Sequence, residues 1–401
     1  MRVEDEFRLF CLALRRPQQP RDIARLREAL AAGPDWGCIL AAAQRHRVAS
    51  PLLAGLQASR SPHLPDAVVA ALRREAVAAA RRSLAQAAEL ARLSRGFAGA
   101  GIRVLALKGV ALSQQLYGDC AQRDPRDIDL LVDRGDLAAA DSVLTGAGYR
   151  RDGPLLSPRQ NTAYRRWVKD CCYVHTATGI RVELHHRLSD NPALLASNFA
   201  ALWRDREEVA IAGAVVATLP RQFLALYLGV HGGIHCWEEL RWLVDFAAAL
   251  QPPGAADAAV AAAAAAGLEA PIRHALMLAH DWLGLAGDLH CLAAARRNRR
   301  VAHLHRILGH SYAGPAWHQS PQRGSLAGFL RYSLWLRLYT YALKRGWRYW
   351  RHQALREFIT PADWDAIGLP DRLFWLFPAV RPVGWLVRRW RAGGNNRGAV
   401  S

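Results

Sequence analysis

The chain has 401 residues, 51% of them apolar, and 14 tryptophans. That length accommodates two or three domains, and that composition excludes disorder throughout. Its net charge of +19 is unevenly spread, because residues 296–401 carry 19 Arg or Lys against four acids, together with eight of the tryptophans.

Elements can be read in chain order. The opening MRVEDEFRLFCLALRRP has early acids and a short apolar core broken by Arg15 and Arg16, which argues against a secretory signal. Residues 1–95 predict helices, including RDIARLREALAA, WGCILAAAQRHRVASPLLAGLQ and the Ala/Arg-rich run Asp66 to Arg95. From Gly101 the pattern turns to α/β: a strand at 102–107, a helix at 109–117, a strand at 128–132 and a helix from Asp136 to about Ala147. Two hairpins are predicted, 171–176 with 180–185 and 209–211 with 214–219, the second turning on Ala212-Gly213. Helices return over 221–310. The expected organisation is an N-terminal helical region (1–95), a catalytic domain with a small mixed sheet (96–220), a helical domain (221–310) and a basic, Trp-rich helical tail (311–401). The fold class is α+β.

No run of about 18 uncharged apolar residues is present, which argues against a spanning helix. The seven cysteines are scattered, without a CxxC pair, so neither a zinc site nor a disulfide framework has the needed spacing. Reduced thiols point to a cytoplasmic location. Cys171 and Cys172 are expected to face opposite sides of a strand as small hydrophobes.

The chemistry concentrates in LALKGVALSQQLYGDCAQRDPRDIDLLV, residues 105–132. Asp127 and Asp129 are two apart in a strand-like run and therefore share a face, with Ile128 and Leu130 on the other. Two carboxylates on one strand form an edge suited to Mg²⁺ or Mn²⁺. A D-x-D pair alone is more often solvated. In IRVELHH, Glu183 lies on the polar face of a later strand and supplies a third candidate carboxylate. Gly109 lets backbone N–H groups approach phosphate at a helix start, and Lys108 adds a point charge. The bland alternative is an ordinary turn with an exposed lysine.

These motifs resemble the bacterial family of nucleotidyltransferase-like proteins within the minimal nucleotidyltransferase superfamily, through KG, Y-G-D, R, D-I-D-L-L-V and V-[DE]-L-H. The resemblance covers roughly residues 35–250. It implies transfer of a nucleoside monophosphate from an NTP to a hydroxyl-bearing acceptor, with Mg²⁺ or Mn²⁺ held by Asp127, Asp129 and Glu183. It implies nucleotide contacts from Lys108, Gly109 and Arg123, the last either touching phosphate or fixing the loop that carries Asp127. Lys108-Gly109 replaces the superfamily's usual Gly-Ser or Gly-Gly. Tyr117 and Asp119 match the pattern with structural roles, and Arg126 is the less secure phosphate ligand.

His185 shares the face of Glu183, where it either orients a carboxylate or meets solvent. His231 and His235 share a helix face if the helix runs through Gly232-Gly233, and either pack in the interior or line an acceptor pocket. The tail interleaves Arg with Trp, Tyr and Leu, which favours peripheral contact with an anionic membrane at the inner face over nucleic-acid binding, with simple packing as the remaining option. The rival to an enzyme is a non-catalytic adaptor of the same fold that binds membrane or a partner complex through this tail.

Overall fold

A computed structural model describes residues 3–153, 156–196, 198–286, 289–312, 317–318, 326–359, 364, 369–377, 379–380 and 383–384. The protein is α+β, with a seven-stranded mixed sheet among helices. Contacts divide the chain into two compact units, each assembled from distant stretches. One comprises Met1–Gly96, Leu105–Ile128 and Ala200–Lys344, and the other Phe97–Val104, Asp129–Phe199 and Arg345–Ser401. The division within the predicted catalytic region thus falls between Ile128 and Asp129.

The first unit is mainly helical. Apolar residues at four-residue steps, such as Phe10 with Leu14 and Leu26 with Leu30, are buried on the helices Val3–Leu14 and Pro20–Ala31. The stretch 36–57 divides into Trp36–His46 and Ala49–Ala58, because Arg47 takes a left-handed conformation (φ 55°). Its guanidinium then pairs with Asp124 at 2.8 Å. Strand β1 (Val104–Ala106) leads into the helix Gly109–Tyr117. The strands that follow in chain order are β2 (Ile128–Val132), β3 (Tyr149–Asp152), β4 (Asp170–His175), β5 (Arg181–His185), β6 (Glu207–Ile211) and β7 (Ala214–Thr218). β7 runs parallel to β1 with Ala106 opposite Thr218, and antiparallel to β6 across the Ala212-Gly213 turn. Both turn residues have positive φ, as a two-residue hairpin requires.

The second unit contains β3, β4 and β5 with β2 beside β5. β4 and β5 form the predicted hairpin, and their register sets Cys172 opposite Glu183 and Asp170 opposite His185. Leu130, Val132, Tyr173, Val182 and Leu184 are buried in its sheet, and Leu137, Ala140 and Leu144 of the helix Leu137–Gly146 are buried as well. Each of these valine and leucine side chains contributes roughly 1.5–3 kcal/mol by leaving water. A rigid hydrophobic support thus underlies the polar face that carries Glu183.

The tryptophans of the tail have unlike environments. Trp317 and Trp364 are buried, whereas Trp347, Trp350 and Trp375 are exposed. Trp385 and Trp390 lie outside the described residues. Among the described residues no helix is long and apolar enough to cross a membrane.

Candidate active site

Strand β2 begins at Ile128, so Asp127 stands at its entrance and Asp129 lies within it. Pleating turns Asp129 away from its neighbours Ile128 and Leu130. On β5, Glu183 and His185 are two apart and share a face. The pairing of these strands brings ligand atoms of Asp129, Glu183 and His185 within 4.8 Å of one another. His185 Nε2 lies 3.1 Å from Asp129 Oδ1 and 3.3 Å from Glu183 Oε2. Asp127 is not a member of this three-residue group.

The surroundings are charged and largely dry. Asp129 and His185 are buried, and Glu183 is half-buried. Lys169 pairs with Asp170, and its Nζ lies 3.8 Å from Glu183. Burial alone would raise the Glu183 carboxyl, but the His185 hydrogen bond and the Lys169 charge hold it below its ordinary value despite Asp129 nearby. Burial and Lys169 oppose a proton on His185, yet its bonds to Asp129 and Glu183 and the charge of Asp170 raise its pKa. Burial, with the Asp170 and Glu183 charges, pushes the Cys172 thiol up to about 12, so it stays protonated beside Glu183 at neutral pH.

This donor set fits a divalent cation. Two carboxylates suit Mg²⁺ or Mn²⁺, and imidazole adds a nitrogen that transition ions accept more readily than Mg²⁺ does. Among the described residues the buried Nδ1 of His185 has no hydrogen-bond partner, and it lies 3.8 Å from Asp170 Oδ2. A carboxylate on the far side of the ring is the usual companion of a metal-binding imidazole.

The other predicted residues belong to the first unit. Lys108 is the N-cap of the helix Gly109–Tyr117 and has an extended backbone. Gly109 has φ 66°, and a Cβ there would lie 3.2 Å from the Asp127 carbonyl oxygen. Both the backbone conformation and the close approach therefore favour glycine. Arg123 is buried and gives its fork to Asp245, with contacts of 2.8–3.0 Å, while another N–H donates to the Gly109 carbonyl at 2.8 Å. Tyr117 donates to the same Asp245 at 3.0 Å. The Arg123 guanidinium is thus engaged by Asp245 and the Gly109 carbonyl. Asp119 accepts from Ala121 N and Gln122, a turn-forming role. Arg126 is paired with Glu239 at 2.7 Å.

His231 and His235 form an aromatic cluster. The helix Arg221–Ile234 does run through Gly232-Gly233 and ends at His235. The two rings are 4.8 Å apart, and each packs against Trp242. A Cβ on Gly232 would come 2.3 Å from the Trp237 ring, so the glycine makes room for this fully buried tryptophan. The partnership of Arg123 with Asp245 carries no local sequence signal, since 122 positions separate them.

Asp129, Glu183 and His185 thus form a group that could hold a metal ion. The family described as uncharacterised nucleotidyltransferase matches residues 32–284, and the chain belongs to it. No curated protein and no solved structure matches the chain.

Proposed function

We propose that the protein is a metal-dependent nucleotidyltransferase that transfers a nucleoside monophosphate from an NTP, such as ATP, to a hydroxyl-bearing acceptor. The observation that carries this reading is the convergence of Asp129, Glu183 and His185 within 4.8 Å. In the reaction the acceptor oxygen bonds to the α-phosphorus, the bond to the β-phosphate oxygen breaks, pyrophosphate leaves and the acceptor hydroxyl releases its proton. A bound Mg²⁺ or Mn²⁺ supplies charge neutralisation and orientation of the phosphate oxygens.

The chain's own residues prepare for this. Asp129 and Glu183 are the ligands, with Asp127 as a further carboxylate. Glu183 is ionised at neutral pH and accepts the acceptor proton or passes it to water. His185 is a positioning residue that holds both carboxylates. Lys108 and the amides following Gly109 receive the triphosphate, and Arg123 braces the loop leading to Asp127. Equilibrium binding of Mn²⁺ with each NTP tests the assignment: binding should be metal-dependent and weakened in Asp129→Asn, and metal-independent or unaltered binding would contradict it.

A second reading concerns location. The helix Trp347–Phe358 is anchored on one side by Tyr349, by Asn191 hydrogen bonds to Tyr349 O and Gln353, and by an Arg356–Asp190 pair at 2.7 Å. Its other side exposes Trp347, Trp350, Leu355 and Phe358 among Arg348 and Arg351. That mixture suits peripheral contact with an anionic membrane from the cytoplasmic side, where aromatic rings sit at headgroup depth. Flotation with phosphatidylglycerol vesicles should recover the full chain and lose it for the double variant Trp347→Ala/Trp350→Ala. Equal recovery would remove this reading and leave the exposed aromatics without a lipid role.

A further inference from the structure

The first unit holds a partly open cavity of about 670 Å³, within the size range of small-molecule sites. Leu14, Val48, Leu116, Val244, Leu283 and Leu285 supply apolar walls. Its polar side holds Arg16, Arg47, Arg123 and Arg241 against only Asp124 and Asp245.

The two carboxylates are already occupied. Asp124 pairs with both Arg47 and Arg82, and Asp245 with Arg123 and Tyr117. Arg241 is drawn to Glu239 at 2.5 Å and donates to the Asp124 carbonyl. Arg16, whose side chain is exposed to solvent, differs from these: it donates to the carbonyls of Ala13, Arg15 and Pro51, and forms no ion pair among the described residues. Its hydrogen bonds are made, but its charge has no anion beside it. Burial lowers the Arg47 pKa, Asp124 opposes that shift, and Arg241 and Arg126 add to it while Glu239 offsets them in part.

We infer that this cavity binds a small organic anion with an apolar body, the body against the leucine and valine walls and the anionic head beside Arg16. A neutral amphiphile would satisfy the walls and leave the charge. A cationic one would add to the repulsion. The site is separate from the proposed chemistry in its residues, yet Arg123 belongs to its wall and donates to the carbonyl of Gly109. An occupant therefore rests against the side chain that braces the phosphate-side turn.

The test is isothermal titration of the full chain, without nucleotide or metal, using decanoate, decanol and decyltrimethylammonium at fixed ionic strength below their micelle concentrations. Decanoate should bind saturably with one site, at least tenfold more tightly than either of the others. Ala248→Phe, which fills the cavity, and Arg16→Gln, which removes the charge, should each weaken decanoate at least tenfold. Circular dichroism checks folding, and Arg16→Gln alone decides the matter if Ala248→Phe does not fold. Absence of saturable decanoate binding, equal affinity for the cationic amphiphile, or unchanged affinity in Arg16→Gln would overturn the inference. Because no nucleotide is present, these outcomes are independent of whether the chain transfers nucleotides.

Discussion

His185 Nε2 lies 3.1 Å from Asp129 Oδ1, and both side chains are buried. Two carboxylates, Asp129 and Glu183, thus meet one imidazole in a place with little water. The ring balances charge that the carboxylates would otherwise hold against each other.

Removing the ring should therefore affect both metal binding and the metal-free protein. In His185→Ala, Mn²⁺ affinity is expected to fall roughly 10- to 100-fold, the usual effect of deleting a group that orients metal ligands. The melting temperature without metal should fall as well, and added Mn²⁺ should recover part of that loss. Electron paramagnetic resonance titration of free Mn²⁺ measures the first effect and thermal denaturation the second. Wild-type Mn²⁺ affinity in the variant would show that the ring has no part in the group.

The Arg123–Asp245 pair is buried, with side-chain exposures of 7% and 3%. Arg123→Met leaves the Asp245 charge without its partner and should cost about 3–5 kcal/mol. Adding Asp245→Leu removes the stranded charge and should restore much of the stability. Urea unfolding of the two single variants and the double variant closes the cycle. Additive losses would mean that the two side chains do not interact.

Gly109 can be compared with Gly101, which has a similar φ of 69° but no atom within 4 Å of the place a Cβ would take. Gly101→Ala should cost about 1–2 kcal/mol from backbone conformation alone. Gly109→Ala should cost more, because its Cβ meets the Asp127 carbonyl, and it should also weaken NTP binding. Equal unfolding free energies for the two variants would show that the close approach contributes nothing.

Two histidines away from the proposed site set an acid limit on stability. Burial, then repulsion from Arg45, lowers the His46 pKa to about 3 despite its backbone hydrogen bonds, and burial with His305 lowers His274 to about 3. The unfolded chain takes up these protons near pH 6.5, before the folded protein does. Stability from this source is thus complete above about pH 6.5 and lost as pH falls toward 3, by up to about 1.4 kcal/mol per pH unit for each histidine. Urea midpoints between pH 7 and 4.5 should decline, and the decline should be shallower in His274→Gln. An identical profile in that variant would exclude His274 as a source.

Much of the sheet and part of the site can be read from local signals. The helix Gly109–Tyr117 and strand Ile128–Val132 are delimited by a lysine-glycine turn, a following Tyr-Gly and an apolar run interrupted by Asp129. Alternation along IRVELHH places Glu183 and His185 on one face, but that face becomes a buried group only through the neighbouring strand carrying Asp129. Asp127 reads as a strand residue beside Asp129, whereas the ladder starts one residue later. Arg123 finds Asp245 across 122 positions, a contact that spacing does not encode. The tail shows the limit of composition most plainly, since Trp317 packs against Phe7, Phe10 and His46 while Trp347 faces solvent.

The most direct measurement follows both ends of the nucleotide. Purified protein is incubated with Mn²⁺ or Mg²⁺, cell extract and each NTP labelled at either the α- or the γ-phosphate, alongside Asp129→Asn. Nucleotidyl transfer predicts α-label on an acceptor, γ-label released as pyrophosphate, and loss of both in the variant. No α-label transfer from any NTP, or equal transfer by Asp129→Asn, would contradict a catalytic role for the group of Asp129, Glu183 and His185.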